Sequence, residues 1–163
     1  MSTHSRSRSL FLFLLLIIML MAFAVSAAAA KVKEEQVSLA GYELIGTVNF
    51  PTGFLFAGTE VGGLSSITYD ARREVYYTIS DDQGTIDPAR YYTLAIDLSD
   101  GYMDSGDITF LDVTTLLDKS GEPYAPGSLD PEGLVLARQG QLYYTSEGFS
   151  SRTPPVDPFV KRM

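Results

Sequence analysis

Apolar and polar side chains alternate with a period of two along most of the chain after residue 41. This alternation, in segments rich in β-branched and aromatic residues, is typical of strands that bury one face. The segments with this pattern are residues 42–48, 64–69, 74–80, 91–98, 107–113, 134–137 and 141–146. Residues 114–117 are predicted to add a short helical turn, and beyond the first thirty residues no segment has the period of an amphipathic helix. The pattern therefore predicts an all-β domain.

One unit of this pattern occurs twice. A Gly-Leu pair at residues 63–64 and a Tyr-Tyr-Thr strand at residues 76–78 reappear about 70 residues later, at 133–134 and 143–145. In each copy a serine and an acidic residue soon follow the Tyr-Tyr-Thr strand. Two further strands follow the first copy, and four antiparallel strands in a repeated unit indicate a β-propeller blade. A Greek-key sandwich also alternates short strands with turns and remains an alternative.

The length of the repeat sets the expected domain organisation. A blade takes about 70 residues here, whereas a propeller has about four to eight blades. Residues 41–163 therefore hold one complete blade and about half of the next, whose third strand is expected to begin near Pro158. We expect the chain to be an N-terminal fragment of a propeller-like domain that is truncated at its C-terminus.

The first thirty residues have the features of an export signal. Arg6 and Arg8 precede an unbroken apolar run over residues 10–25, and small residues at 26–30 offer a cleavage site for signal peptidase. We predict a cleaved signal peptide over residues 1–30, a disordered leader over 31–40, and a secreted or periplasmic domain. A retained membrane anchor is the alternative, since the apolar stretch just reaches membrane-spanning length. In both cases the domain lies outside the cytoplasm.

The composition excludes several classes of chemistry. The 163 residues contain no cysteine and a single histidine, His4, which lies within the predicted signal. A mature chain without His or Cys cannot form a Ser-His-Asp triad, a Cys-His pair, a zinc site or a disulfide. The formal net charge of −8 argues against nucleic acid and anionic membranes as partners. A bound metal would therefore have oxygen ligands, which favours calcium or magnesium.

Blade topology predicts where the acidic residues meet. Residues just before the first strand of a blade and just after its second strand lie at the same rim of a propeller, and acids there suit a hard cation. The predicted metal ligands are Asp81, Asp82, Asp130, Glu132 and Glu147. Arg90 and Arg152 are predicted to bind an anionic group of the substrate. The alternative is that the acids only form turns and that the arginines are ordinary surface charges.

Several short motifs resemble the phytase-like domain family, described as esterase-like activity of phytase. They occupy residues 62–67, 77–82, 89–94, 127–133 and 144–148 and follow the order found in the family. The resemblance covers about residues 61–160 and implies an exported, propeller-like domain linked to the hydrolysis of phosphoesters or esters. The family's acidic motif positions fall on the five predicted metal ligands.

Two functions follow from these observations. The first is hydrolysis of a small phosphorylated or ester substrate assisted by calcium, in which the metal polarises the substrate and activates water. The second is a propeller without catalytic activity that serves as a binding module, because propellers host many functions on one scaffold. Neither function involves nucleic acid, and neither involves a membrane apart from the signal segment.

Overall fold

A computed structural model of the chain describes residues 41–163, which form nine β-strands and no helix. The strands are β1 (Leu55–Phe56), β2 (Thr59–Glu60), β3 (Leu64–Asp70), β4 (Val75–Ser80), β5 (Arg90–Ile96), β6 (Ile108–Thr115), β7 (Pro131–Leu136), β8 (Leu142–Ser146) and β9 (Phe159–Arg162). Over these residues the structure has no helix long and apolar enough to cross a membrane. The predicted signal peptide and leader lie outside the described residues.

The strands form antiparallel sheets in which neighbours in space are neighbours in sequence. The first large sheet has the order β3-β4-β5-β6, and the second has the order β7-β8-β9. A Greek key would place non-consecutive strands side by side, and neither large sheet does so. The all-β prediction is confirmed: the sheets have a propeller-like arrangement, with a four-stranded blade over β3–β6, although over residues 41–163 they do not close into a ring.

The innermost strands of the two large sheets, β3 and β7, lie side by side. Side-chain hydroxyls connect them, because the backbone N–H of Leu134 donates to Ser66 Oγ at 3.0 Å and that of Leu136 donates to Thr68 Oγ1 at 3.2 Å. These hydroxyls satisfy backbone groups on the edge of β7 that would otherwise lack a partner. The second sheet is thereby fixed to the first at the edge nearest the expected central channel.

The core follows from the period-two pattern of the strands. Tyr77 and Ile79 of β4 are buried against Leu134 and Tyr144 of the second sheet, together with Leu116. Burying a side chain of this size contributes about 1.5–3 kcal/mol. The neighbouring member of each tyrosine pair points to the other face of its sheet, as alternation along a strand requires. The core thus lies between the two sheets and holds their ends together.

Two details of the predicted secondary structure are wrong. Residues 42–48 form no strand and contribute only an isolated bridge between Gly46 and Met103, because no neighbouring strand is available to pair with them. Residues 114–117 form no helical turn. Thr114 and Thr115 instead continue β6, where they pair with β5, and Leu117 makes a bridge to Pro123.

A small hairpin of β1 and β2 precedes the first blade and was not predicted. Its two turn residues, Ala57 and Gly58, both have positive φ, which matches the twist that a two-residue hairpin needs. Phe56 of the hairpin packs against Phe110 and Tyr92 of the first large sheet, with ring centroids 5.4 and 6.4 Å away. The hairpin is therefore anchored by aromatic contacts, and it delivers Glu60 to the rim beside β5.

Candidate functional site

A cavity of about 670 Å³ opens where the ends of the two large sheets meet. Six acidic residues line it: Glu60, Asp81, Asp82, Asp130, Glu132 and Glu147. The remaining lining residues are Gly62, Gly63, Gln83, Thr85, Ile86 and Arg90. All five predicted metal ligands therefore border one cavity, and Arg90 is the one basic residue among its described lining residues.

In both sheets, hydrogen bonds of a serine at the end of the second strand position the acidic residue that follows. At the end of β4 the Ser80 hydroxyl donates to the Gly62 carbonyl, and the Asp81 N–H donates to the Gly63 carbonyl. At the end of β8 the Ser146 hydroxyl accepts from the Asp130 N–H. In each sheet a buried serine at the end of the second strand thus forms a hydrogen bond with the segment that precedes or begins the first strand. The acidic residue after that serine, Asp81 or Glu147, lines the cavity.

Glycine at position 63 is required by this arrangement. Its φ of +56° lies in the left-handed region, and a Cβ there would stand 1.6 Å from Asp81 Oδ1. A side chain would therefore both strain the backbone and displace the Asp81 carboxylate. Gly63 is the residue that allows Asp81 to lie over the start of β3.

A buried ion pair joins Arg90 to Asp82. The Arg90 Nη1 lies 2.8 Å from Asp82 Oδ2, and the two side chains are only 2% and 7% exposed. Arg90 also donates to the Tyr92 hydroxyl through Nε at 2.7 Å and to the Glu60 carbonyl through Nη2 at 2.6 Å. The guanidinium therefore connects the loop after β4 to the β1–β2 hairpin, and its donors are occupied by protein groups.

The carboxylate oxygens of Asp82 are likewise already bonded to protein groups. Its carboxylate accepts the backbone N–H groups of Thr85, Ile86 and Asp87 in addition to the bond from Arg90. Burial by itself would raise the pKa of Asp82, but the Arg90 guanidinium and these backbone donors outweigh it and hold the pKa well below the ordinary 3.8. Asp82 is thus ionised and serves as the anchor of the loop that follows β4.

Three acids of the second sheet converge, and among residues 41–163 none of them forms an ion pair with a basic side chain. One carboxylate oxygen from each of Asp130, Glu132 and Glu147 lies within 4.8 Å of the others. Calcium binds oxygens at about 2.3–2.6 Å, so two oxygens on one ion lie at most about 5.2 Å apart. The spacing and the hard oxygen donors therefore fit a divalent cation such as calcium.

The pKa of Glu132 is raised within this cluster of carboxylates. Burial raises the pKa of Glu132, and its hydrogen bond with Glu147 raises that pKa further. The negative charges of Glu147, Asp130 and Asp81 act in the same direction. The Glu132 carboxyl thus holds its proton more tightly than an isolated glutamate, as expected of carboxylates crowded together without a counter-ion.

Comparison with known protein families identifies the family of the chain. The family model described as phytase-like, esterase-like activity of phytase, matches residues 59–163. The chain belongs to the phytase-like family. Comparison with curated proteins and with solved structures finds no match. The matched region begins at β2 and includes every residue that lines the cavity of this phytase-like domain.

Arg152 lies beside the phytase-like cavity without lining it. The side chain is exposed, and its guanidinium carbon stands 4.1 Å from the centre of the Phe149 ring. A Cβ at Gly127 would lie 2.7 Å from Arg152 Nη2, and the Gly127 N–H donates to the carbonyl of the lining residue Gln83. Of the two predicted substrate-binding arginines, Arg152 therefore has the guanidinium that is open to solvent.

The loop residues Gln83, Thr85 and Ile86 also line the cavity and were not predicted to do so. They follow a strand end, where turns are expected, and nothing in their residue types indicates chemistry. The hydrogen bond between Arg90 and the Tyr92 hydroxyl was not predicted either. The spacing of two residues on a strand was an available signal, because it places both side chains on one face.

Proposed function

We propose that this phytase-like chain is an exported hydrolase of phosphoesters or esters that uses a divalent cation, calcium in the first instance. The observation that carries the proposal is the convergence of Asp130, Glu132 and Glu147 within 4.8 Å, at a cavity where Arg90, the one arginine of the described lining, is already paired. Family membership supports a hydrolytic role for the same cavity.

The proposal assigns the metal to the three acids of the second sheet, with Asp81 beside them. Asp81 is exposed and lines the same cavity, where its carboxylate would orient water beside the three ligands. Asp82 is left out of the metal site, because its oxygens already accept bonds from the loop and from Arg90. Asp82 holds the loop in place instead.

When bound, a divalent cation supplies a Lewis acid that polarises the substrate oxygen and lowers the pKa of water. In the overall reaction the water oxygen bonds to phosphorus or to the acyl carbon. The bond from that atom to the ester oxygen breaks, and the departing alcohol takes a proton. The neighbouring Asp81, which is not one of the three assigned ligands, would take the proton from the attacking water, and the departing alcohol is protonated in turn. Arg152 would contact an anionic part of the substrate at the cavity mouth, whereas Arg90 acts by positioning the loop.

Export is part of the proposal and rests on the residues before position 31. Arg6, Arg8, the apolar run and the small residues that follow support a signal peptide. N-terminal sequencing of protein recovered from outside the cytoplasm is expected to begin near Lys31. A chain in the cytosol that still begins at Met1 would contradict export.

Thermal denaturation with calcium and with a chelator tests the metal site. A cation that binds only the folded chain stabilises it by about 2.7 kcal/mol at one hundred times its dissociation constant. The melting temperature is therefore expected to rise with calcium and to fall with chelator. Asp130→Asn combined with Glu147→Gln should abolish the rise, because it removes two of the three ligands.

The matched control is Glu122→Gln combined with Asp157→Asn, which removes the same two charges at exposed positions that do not line the cavity. The control should keep the calcium response. An unchanged melting curve of the natural chain with calcium would contradict the metal site. Release of p-nitrophenol from p-nitrophenyl phosphate and p-nitrophenyl acetate then distinguishes a phosphoesterase from an esterase.

The second candidate function is a binding module without catalysis. It is favoured by the structural roles of Asp82 and Arg90, two residues whose types had suggested chemistry. Under this alternative, calcium would raise the melting temperature without hydrolysis of any ester. The two measurements together therefore separate the candidates.

A further inference from the structure

The loop after β4 presents one apolar side chain to an otherwise polar cavity. Among the described residues that line the cavity, Ile86 is the one large apolar side chain, and it is 66% exposed. An isoleucine this exposed at a polar site is unfavourably hydrated and gains free energy when a ligand covers it. A ligand that covers Ile86 is therefore favoured over a ligand that leaves it exposed to water.

Hydrogen bonds hold this loop in place on both sides. Asp82 Oδ1 accepts the backbone N–H of Thr85 at 2.9 Å and that of Ile86 at 3.3 Å. Asp87, just beyond, accepts the Glu60 N–H at 2.7 Å, and the Gly127 N–H donates to the Gln83 carbonyl at 2.5 Å. Because Asp82 is itself paired with the buried Arg90, the backbone of the loop cannot move away from the cavity without breaking these hydrogen bonds. Ile86 is thus presented in a fixed position before any ligand arrives.

The charges around the cavity restrict its ligand further. Once Arg90 and Asp82 are counted as a pair, Glu60, Asp81 and the three clustered acids remain without a basic partner in the described lining. One divalent cation offsets two of these five negative charges. Each additional anionic group on a substrate would then face uncompensated carboxylates. A substrate with several phosphates is disfavoured relative to one with a single anionic or ester group.

We infer that Ile86 is a specificity-determining residue and that the preferred substrate is a monoester of an apolar alcohol, with its alkyl or aryl group against Ile86. This inference rests on the proposed hydrolytic function and names the substrate class of the same cavity. In this arrangement the ester group would lie at the cation held by Asp130, Glu132 and Glu147. The apolar group of the alcohol would lie against Ile86. A polyphosphorylated polyol has no apolar group to place there.

A series of n-alkyl phosphates from methyl to hexyl phosphate tests the inference, since the leaving-group chemistry stays nearly constant along it. For the natural chain with calcium, kcat/KM is expected to rise about tenfold from methyl to hexyl, the scale of discrimination that a partly open apolar contact provides. Ile86→Ser should reduce the hexyl-to-methyl ratio to about one, and Ile86→Leu should retain it. Inositol hexakisphosphate should be a poorer substrate than hexyl phosphate.

The matched control is Ile67→Ser on β3, an isoleucine that is 55% exposed and does not line the cavity. This variant should keep the ratio of the natural chain. A flat series in the natural chain, or a ratio that survives in Ile86→Ser, would overturn the inference while leaving hydrolysis established.

Absence of hydrolysis across the whole series, together with no release of p-nitrophenol from p-nitrophenyl phosphate or p-nitrophenyl acetate, would instead overturn the proposed function. In that case calorimetric binding of hexylphosphonate and methylphosphonate, with calcium present, tests Ile86 without turnover. The natural chain is expected to bind hexylphosphonate about tenfold more tightly than methylphosphonate. The Ile86→Ser variant is expected to bind the two phosphonates equally. Equal binding of the two phosphonates by the natural chain would reject the role of Ile86.

Discussion

The loop after β4 and the acids around β7 and β8 bring carboxylates to the same cavity under different electrostatic conditions. In the first region Asp82 is buried, accepts backbone donors and is paired with Arg90. In the second region Asp130, Glu132 and Glu147 face one another with no basic partner among the described lining residues. The pKa of Asp82 is accordingly lowered, whereas the pKa of Glu132 is raised.

This difference separates structural acids from acids that are available to a ligand. Carboxylates whose oxygens are all occupied by protein donors stabilise a loop and have nothing left to offer a cation. Carboxylates that repel one another are unfavourable until a proton or a metal joins them. Asp82 of the first copy of the repeated unit therefore holds the cavity wall in place, whereas the three acids of the second copy remain available to a ligand.

The largest expected effect comes from removing the arginine of the first region. Arg90→Met would leave Asp82 buried without its counter-ion, and breaking a buried pair in this way costs about 3–5 kcal/mol. The free energy of unfolding, measured by urea denaturation, should fall by that amount. Arg152→Met is the control, because Arg152 is exposed and its stacking on Phe149 contributes at most about 1 kcal/mol. Equal losses in the two variants would contradict the structural role of Arg90.

A smaller effect is expected at the glycine that lies beneath Asp81. Gly63→Ala should cost about 1–2 kcal/mol, because alanine is unfavourable in the left-handed region and its Cβ would collide with the Asp81 carboxylate. Gly62→Ala is the adjacent control, since a Cβ there meets nothing within 4 Å and its φ is not in the left-handed region. Urea denaturation should show almost no loss for Gly62→Ala. If Gly62→Ala proves the more harmful change, the assigned geometry of the β3 entrance is wrong.

The smallest effect concerns the pH dependence of the two regions without metal. The stabilising contribution of Asp82 is present above its ordinary pKa of 3.8 and is lost as pH falls below that value, because the folded pKa is lower still. Glu132 acts in the opposite sense: its folded pKa is raised above 4.5, so its contribution becomes unfavourable as pH rises through and above that value.

Glu132→Gln separates these two contributions. Without calcium, this variant should be more stable than the natural chain near pH 7, by on the order of 0.5–1 kcal/mol, the scale of repulsion between partly exposed like charges. Below about pH 4 the difference should vanish, because Glu132 is then neutral in both the folded and the unfolded chain. Denaturation at the two pH values, with chelator present, provides the measurement. A variant that is less stable than the natural chain at neutral pH would show that Glu132 is not under repulsion.

The strands, the repeat and the family could be predicted from the sequence. Alternation over residues 64–113 predicted the four-stranded antiparallel sheet, and the short motifs pointed to the phytase-like family that the matched region confirms. The placement of acids at the ends of β4 and β8 was predictable too, because strand direction determines which rim a strand end reaches. Alternation is a local property of the chain, so it was visible without knowledge of any distant contact.

The pairing of distant segments was decided only by the tertiary structure. Residues 42–48 alternate like a strand but remain unpaired along most of their length, since a strand needs a neighbour to accept its backbone bonds. Arg90 was predicted to face the substrate, and its burial with Asp82 and Glu60 depends on the β1–β2 hairpin packing against β5. A charge in the sequence has no fixed role: burial and its partners decide whether it stabilises the fold or stays available to a ligand, and both depend on packing between residues far apart in the chain.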